Sequence, residues 1–239
     1  MKKKLAEFLF GDTAKENLLM VWANQKGGAG KSTLCIAFAD LWVKMTGRDV
    51  VVIDADPQRT LYKVHMKDIE ENPGIDPLYH VYPFGDIDDA DKTVGMMNKA
   101  RLQNCDIIFD APGNLSSNGI APLLMKADCI FCPTGYDNKT SMSTIDFSNF
   151  ITASAKELGL SHPPRIFYII NRFIKSWGTK KELEARKTYD EYLSALGLLT
   201  PRVPSCAELQ RTSTFYITPK QEEAVKPCFS FIIKQILGT

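Results

Sequence analysis

Short apolar runs of strand length alternate along this chain with segments whose apolar residues recur every three or four positions. Residues 18–23 and 50–53 are two such runs, and between them Leu34, Phe38, Leu41, Trp42 and Met45 fall at helical spacing. That order predicts a strand–helix–strand unit. Residues 78–82, 106–109, 129–132 and 166–170 are further runs of the same kind, each followed by a stretch that can be helical. Their near-continuous Val, Ile and Phe content predicts strands buried on both faces. The expected fold is α/β: a three-layer sandwich with a mainly parallel, twisted sheet between helices. At the far end, Val225, Phe229, Ile232, Ile233 and Ile236 share one face of residues 221–237, which predicts a helix closing the core. Only Lys226 and Lys234 supply positive charge there, too little for a membrane-binding tail.

With 239 residues the chain fits a single domain spanning 1–239, in which 1–17 form a short N-terminal extension. The amphipathic stretch at residues 2–10 is too short for a DNA-reading module. Six irregularly spaced cysteines, with no secretory apolar segment and no stretch long enough to span a bilayer, point to a reducing cytoplasm. Cys129 and Cys132 form a CxxC pair, yet residues three apart on a strand point to opposite faces. No second ligand pair has zinc or cluster spacing, so both cysteines are expected in the core.

The chemistry enters directly after the first apolar run, at Lys26-Gly27-Gly28-Ala29-Gly30-Lys31-Ser32-Thr33. Three glycines in four positions let the backbone turn tightly and aim several N–H donors at one point, a cradle suited to phosphate oxygens. Lys31 would reach the β- and γ-phosphates, Ser32 would offer its hydroxyl to Mg²⁺, and the helix opening there would turn its positive end to the anion. A nucleoside triphosphate with Mg²⁺ is the expected ligand. The usual phosphate-loop pattern wants glycine where this chain has Gln25, and a second lysine, Lys26, stands five residues before Lys31. Two carboxylates, Asp54 and Asp56, end the second predicted strand, and Asp110 ends the 106–109 strand, where ligands of open α/β sheets sit.

Lys26 with this loop resembles the deviant Walker A group of P-loop NTPases, the ParA, MinD, NifH and ArsA-like ATPases. Asp54-Ala55-Asp56-Pro57-Gln58 after such a loop resembles the ParA-type partition ATPases in particular, and most closely the short forms lacking an N-terminal helix-turn-helix domain. The resemblance implies that Asp56 positions the attacking water, that Asp54 supports the Mg²⁺ region, and that Asp110, as the Walker B aspartate, holds the ion. Ala111-Pro112-Gly113 is similar to the segment that senses the γ-phosphate. Asn171, Arg172 and Pro204 match the places that contact adenine. Lys26 would cross to the phosphates of a second subunit, so that ATP joins a homodimer and hydrolysis frees it. The family usually has a small residue where this chain has Arg59.

Net charge is only +1, but its distribution is uneven. Eight acids against Lys67 alone occupy residues 66–91, while ten bases against five acids occupy residues 165–220. With the resemblance, this predicts a weak ATPase stimulated by a ParB-like or other small DNA-binding partner. It would bind nonspecific DNA when dimeric, associate with the nucleoid and serve plasmid or chromosome partition. A conjugative-transfer role is the neighbouring alternative. A MinD-like membrane scaffold is disfavoured by Asp56-Pro57-Gln58 and the weakly basic tail, and a NifH-like cluster carrier by the lack of cysteines at loop positions.

Overall fold

The computed structural model describes residues 17–114, 116–176 and 178–238; the expected amphipathic stretch at 2–10 lies outside the described residues. Strands and helices alternate: β1 (Leu19–Trp22), α1 (Lys31–Thr46), β2 (Val50–Asp54), α2 (Thr60–Glu71), β3 (His80–Pro83), α3 (Ala90–Arg101) and β4 (Asp106–Asp110). There follow α4 (Ile120–Met125), β5 (Cys129–Thr134), α5 (Asn138–Glu157), β6 (Arg165–Ile170), α6 (Lys180–Leu196), β7 (Leu198–Leu199), a 3-10 turn (Ala207–Gln210) and α7 (Pro219–Leu237). The seven strands make one sheet in the order β3-β2-β4-β1-β5-β6-β7, with every pairing parallel.

Because the strands are apolar on both faces, the sheet buries two cores. One face carries α1, α2 and α7 around Trp22, Phe38, Phe131 and Phe229. The other carries α3, α4, α5 and α6 around Phe109, Phe147 and Tyr168. Phe38 stands edge-on to Phe229 at 5.2 Å and Trp22 lies 4.9 Å from Phe131, so the first core is an aromatic cluster. Each such ring contributes on the order of 2–3 kcal/mol through burial. Cys129 faces the first core and Cys132 the second, both fully buried and unpaired, as period-two geometry requires. The apolar face of α7 is spent on the core through Val225, Phe229, Ile232 and Ile233. Thr218 and Gln221 close its N-terminus with a capping box.

Two of the boundaries that differ from expectation have a clear physical reason. The third strand begins at His80 rather than residue 78, because Tyr79 turns inward and its hydroxyl donates to the Ile36 carbonyl while Leu78 stays exposed. Asn17, expected in the extension, belongs to the body of the protein. It is buried, and its amide donates to the carbonyls of Ala100 (2.7 Å) and Cys105 (3.1 Å).

Candidate functional site

The register of the sheet assembles the site. Trp22, the last residue of β1, pairs with Asp110 of β4, which also pairs with Asp54 of β2, so the three strand ends stand in one row. β1 is flanked by β4 and β5, and the chain leaves it toward β2 on one side and returns to β5 on the other. The crevice of such a switch point is where this architecture places ligands. The 27–33 loop leaves β1 into that crevice.

Gly28 and Gly30 sit at φ 79° and 101°, conformations that side chains rarely adopt. Gly30 precedes α1, whose N-terminus has neither a side-chain cap nor an acid in its first turn. Its N–H groups are thus left for an anion. A cavity of about 560 Å³ opens here, bounded by Gly27, Gly28, Gly30, Lys31, Ser32 and Thr33 on one wall and by Asp54, Asp56, Asp110 and Gly113 on the other. Gly113 makes the approach of the walls possible: a Cβ there would stand 3.3 Å from the Gly27 Cα and 3.4 Å from Lys31 Nζ.

Electrostatics divide the carboxylates. Asp110 is buried, and desolvation raises its pKa to about 7 against a hydrogen bond from Ser32 and the charge of Lys31. One of its oxygens has no hydrogen-bond partner. An orphaned buried carboxylate oxygen beside a hydroxyl at the floor of a phosphate-sized cavity fits a divalent cation, which would supply the missing partner. Asp54 is also buried, but its two oxygens accept the backbone N–H groups of Asp56 (3.1 Å) and Tyr62 (2.8 Å), so it shapes the turn after β2. Burial raises its pKa as well, with the N–H bonds opposing. Asp56 is half-buried on the cavity wall and accepts the Gln58 N–H. Lys31 is nearly buried, and desolvation lowers its pKa against the pull of Asp110 and Asp56.

Lys26 does not bound this cavity; it stands apart from the phosphate wall on the flank of the loop. Its backbone N–H is held by the Asn24 side chain at 3.2 Å. Arg59, the departure from the small residue usual there, adopts φ 53°, and its guanidinium reaches the backbone of Gly85, outside the cavity.

A second, narrower hollow lies on the other side of Gly30, bounded by Thr33, Asn171, Arg172, Pro204, Cys206 and Leu209. The expected adenine-contacting residues Asn171, Arg172 and Pro204 are thus brought together. Main-chain bonds lace the two segments: Phe173 N–H to Val203 O at 2.9 Å and Ser205 N–H to Phe173 O at 2.9 Å. Asn171 donates to the Ala29 carbonyl at 2.9 Å, which clamps the phosphate loop from this side. Arg172, at φ 54°, borders both hollows. Cys206, Leu209 and Gln210 join the hollow without forewarning, since a four-residue 3-10 turn leaves no periodic signal in the sequence.

The basic region does not form one face. Arg202 pairs with Asp190, Lys187 with Glu191 and Lys220 with Glu208. Arg165 lies at the opposite end of β6, donating to the Gln235 carbonyl. Lys175, Lys180 and Lys181 are exposed, without an ion pair among the described residues, at the end of the sheet that holds the phosphate cavity.

Comparisons agree with this geometry. A family model described as the CobQ/CobB/MinD/ParA nucleotide binding domain matches residues 20–215. Among curated proteins no match is found. Among solved structures, a Borrelia burgdorferi B31 protein described as a putative plasmid partition protein bound to AMPPNP superposes with a TM-score of 0.70. It is 20% identical and covers 92% of this chain and 100% of its own. A Cyanothece McdA variant in complex with ATP gives a TM-score of 0.69 at 18% identity, covering 93% of this chain and 97% of its own. The pNOB8 ParA bound to nonspecific DNA gives 0.57 at 16% identity, covering 93% and 98%.

Proposed function

This chain belongs to the CobQ/CobB/MinD/ParA nucleotide-binding family, and on that premise we propose that it is an ATP-driven switch of the ParA type. It dimerises with Mg²⁺-ATP, holds DNA without sequence preference as a dimer, and releases it when a small DNA-binding partner stimulates hydrolysis. The observation that carries this reading is the convergence of Lys31, Ser32, Asp56 and Asp110 from three strand ends on one cavity, with Lys26 outside it. The nucleotide-bound and DNA-bound states of structurally similar proteins support it.

In this reading the glycine cradle and Lys31 hold the phosphates, and Asp56 accepts a hydrogen bond from the attacking water and orients it. Ser32 and Asp110 would hold the Mg²⁺, which supplies charge neutralisation on the phosphates. Asp54 acts by fixing the turn that presents Asp56. Asn171, Arg172 and Pro204 receive the adenine. Lys26, outside its own cavity, is the cation a second subunit would lend to the transferring phosphoryl group, a contribution of order 10³–10⁵ in rate for inserted cations. The burial of the apolar face of α7 weighs against a membrane-surface scaffold.

DNA binding measured with ATP, with ADP and without nucleotide, across a salt series, tests the reading. Tight binding is expected only with ATP, falling steeply with salt through counterion release. Replacing Lys175, Lys180 or Lys181 by Ala should reduce the logarithmic salt slope by about one unit for each lysine–phosphate pair removed. Absence of ATP-dependent binding at low salt, or tight binding to anionic vesicles instead, would reject it.

A further inference from the structure

Four polar side chains are buried beneath the phosphate loop, and nothing in the nucleotide reading uses them: Asn24, Thr134, Thr144 and Tyr189. They form one connected chain of hydrogen bonds. The Asn24 amide donates to the Pro133 carbonyl (2.7 Å) and to Thr144 Oγ1 (2.9 Å), while its oxygen accepts the Lys26 N–H. Thr144 and Thr134 hydroxyls meet at 2.8 Å, and Thr134 meets the Tyr189 hydroxyl at 2.8 Å.

One assignment of the protons satisfies every group. Thr144 gives its only proton to the Thr140 carbonyl at 2.9 Å. Thr144 then accepts from Thr134, and Thr134 from Tyr189. In this assignment each hydroxyl has a single proton, and every proton has a buried acceptor. A shift of the loop that moves Asn24 would take its donor from the buried Pro133 carbonyl and leave Thr144 with Thr134 alone, unless the end of β5 moves with it. The end of β5 carries Thr134, and Thr134 is the anchor of Tyr189 on α6, the helix that bears Lys180, Lys181 and Lys187.

We propose that Asn24, Thr134, Thr144 and Tyr189 are positioning residues that transmit the state of the nucleotide loop to α6. The proposal rests on the ATP-switch reading above and adds to it how ATP at the 27–33 loop changes the exposed lysines at the start of α6. None of the four side chains bounds the phosphate cavity, so each acts through the loop and not on the reacting phosphates.

Amide hydrogen exchange on the full chain, with AMPPNP and Mg²⁺ or without nucleotide, separates the relay from the reading it rests on. In the wild type, nucleotide should protect the 27–33 loop and also change exchange in the first half of α6 by about tenfold, within the usual range for coupled sites. Tyr189→Phe removes one hydroxyl and keeps the ring; it should retain loop protection and lose the α6 response. Thr144→Val should do the same, and intact loop protection in either variant shows that the fold and the nucleotide site survive. Loop protection in the wild type with no change in α6, or a full α6 response in Tyr189→Phe, overturns the relay alone. An unprotected loop in the wild type overturns the nucleotide reading and the relay with it.

Discussion

The phosphate cavity and the hollow proposed above for the nucleobase share Gly30 and Arg172, yet they are built on different plans. The phosphate cavity takes its donors from one continuous loop and its acids from the ends of adjacent strands or just beyond them, so the sheet register sets most of its geometry. The nucleobase hollow is assembled from residues 171–172, 204–206 and 209–210, which main-chain bonds and the Asn171 clamp bring together. One is a property of the scaffold and the other of loops. Substitutions in the first should therefore change chemistry, whereas substitutions in the second should change the fit and stability of the loop.

The largest effects belong to the phosphate side, where three variants divide the labour. Lys26→Ala should bind ATP about as tightly as wild type, since Lys26 lies outside its own cavity, but should fail to dimerise and lose on the order of 10³-fold in turnover. Lys31→Ala should lose ATP affinity, because it removes a nearly buried cation that faces two carboxylates on the phosphate wall. Asp56→Ala should keep ATP and Mg²⁺ binding and lose about 10²–10³-fold in hydrolysis, leaving the dimer trapped. Nucleotide titration with light scattering and phosphate release reads all three. Equal loss of ATP affinity in the Lys26 and Lys31 variants would break the division.

The same contrast explains what the sequence makes legible. Lys26–Thr33, Asp54, Asp56 and Asp110 are contiguous or end apolar strands, so spacing and period place them. The Asp54 carboxylate is expected to support the ion region; that it ends as an acceptor for the Asp56 and Tyr62 N–H groups depends on the turn after β2, for which no periodic signal exists. On the nucleobase side, Asn171, Arg172 and Pro204 follow strand-like segments and can be anticipated, while Cys206 and Leu209 cannot. Asn24, Thr144 and Tyr189 are hidden for another reason: each looks ordinary in its own segment, and only tertiary packing joins residues 24, 134, 144 and 189. The basic stretch at 165–220 misleads in the opposite way, since proximity in sequence conceals that Arg202, Lys187 and Lys220 are paired and that Arg165 sits at the far end of its strand.

Gly30→Ala tests the wall the two hollows share, at a smaller scale. At φ 101° any side chain is strained, and a Cβ would fall 2.2 Å from the Asn171 amide nitrogen, forcing it off the Ala29 carbonyl. The expected cost is about 1–3 kcal/mol of stability, with ATP affinity reduced as the loop loses its clamp. Asn171→Ala should relieve the clash but not the strain, so the double variant should be less damaged than the two single costs predict. Strict additivity in denaturant titrations would show that the loop is not held by Asn171 and that the two hollows are independent.

The smallest effect concerns the outer seam between the two sides, where α2, which follows the Asp56 turn, meets the segment after the 3-10 turn of the nucleobase hollow. Buried His65 on α2 approaches Thr214 at 2.8 Å through Nδ1. Thr214 gives its hydroxyl proton to Asp68 at 2.9 Å, so it accepts from His65, which fixes the proton of the neutral ring on Nδ1 and leaves Nε2 bare. A second proton would have to enter a buried site facing the ring of His80 from β3 at 6.1 Å. Burial first and His80 second hold the His65 pKa below 6.5, with Asp68 opposing. Below 6.5 the unfolded chain therefore binds this proton before the folded one. The stability contributed by neutral His65 is complete above 6.5 and is lost as pH falls from there toward the lower folded value, at a rate bounded by about 1.4 kcal/mol per pH unit for one proton. His65→Phe removes this titration, so the advantage of the wild type over the variant should shrink as pH falls from about 7 to about 5 in thermal melts. Parallel melting curves across that range would mean that the seam stays closed by packing alone, and that proton uptake at His65 does not loosen the joint between the scaffold-built cavity and the loop-built one.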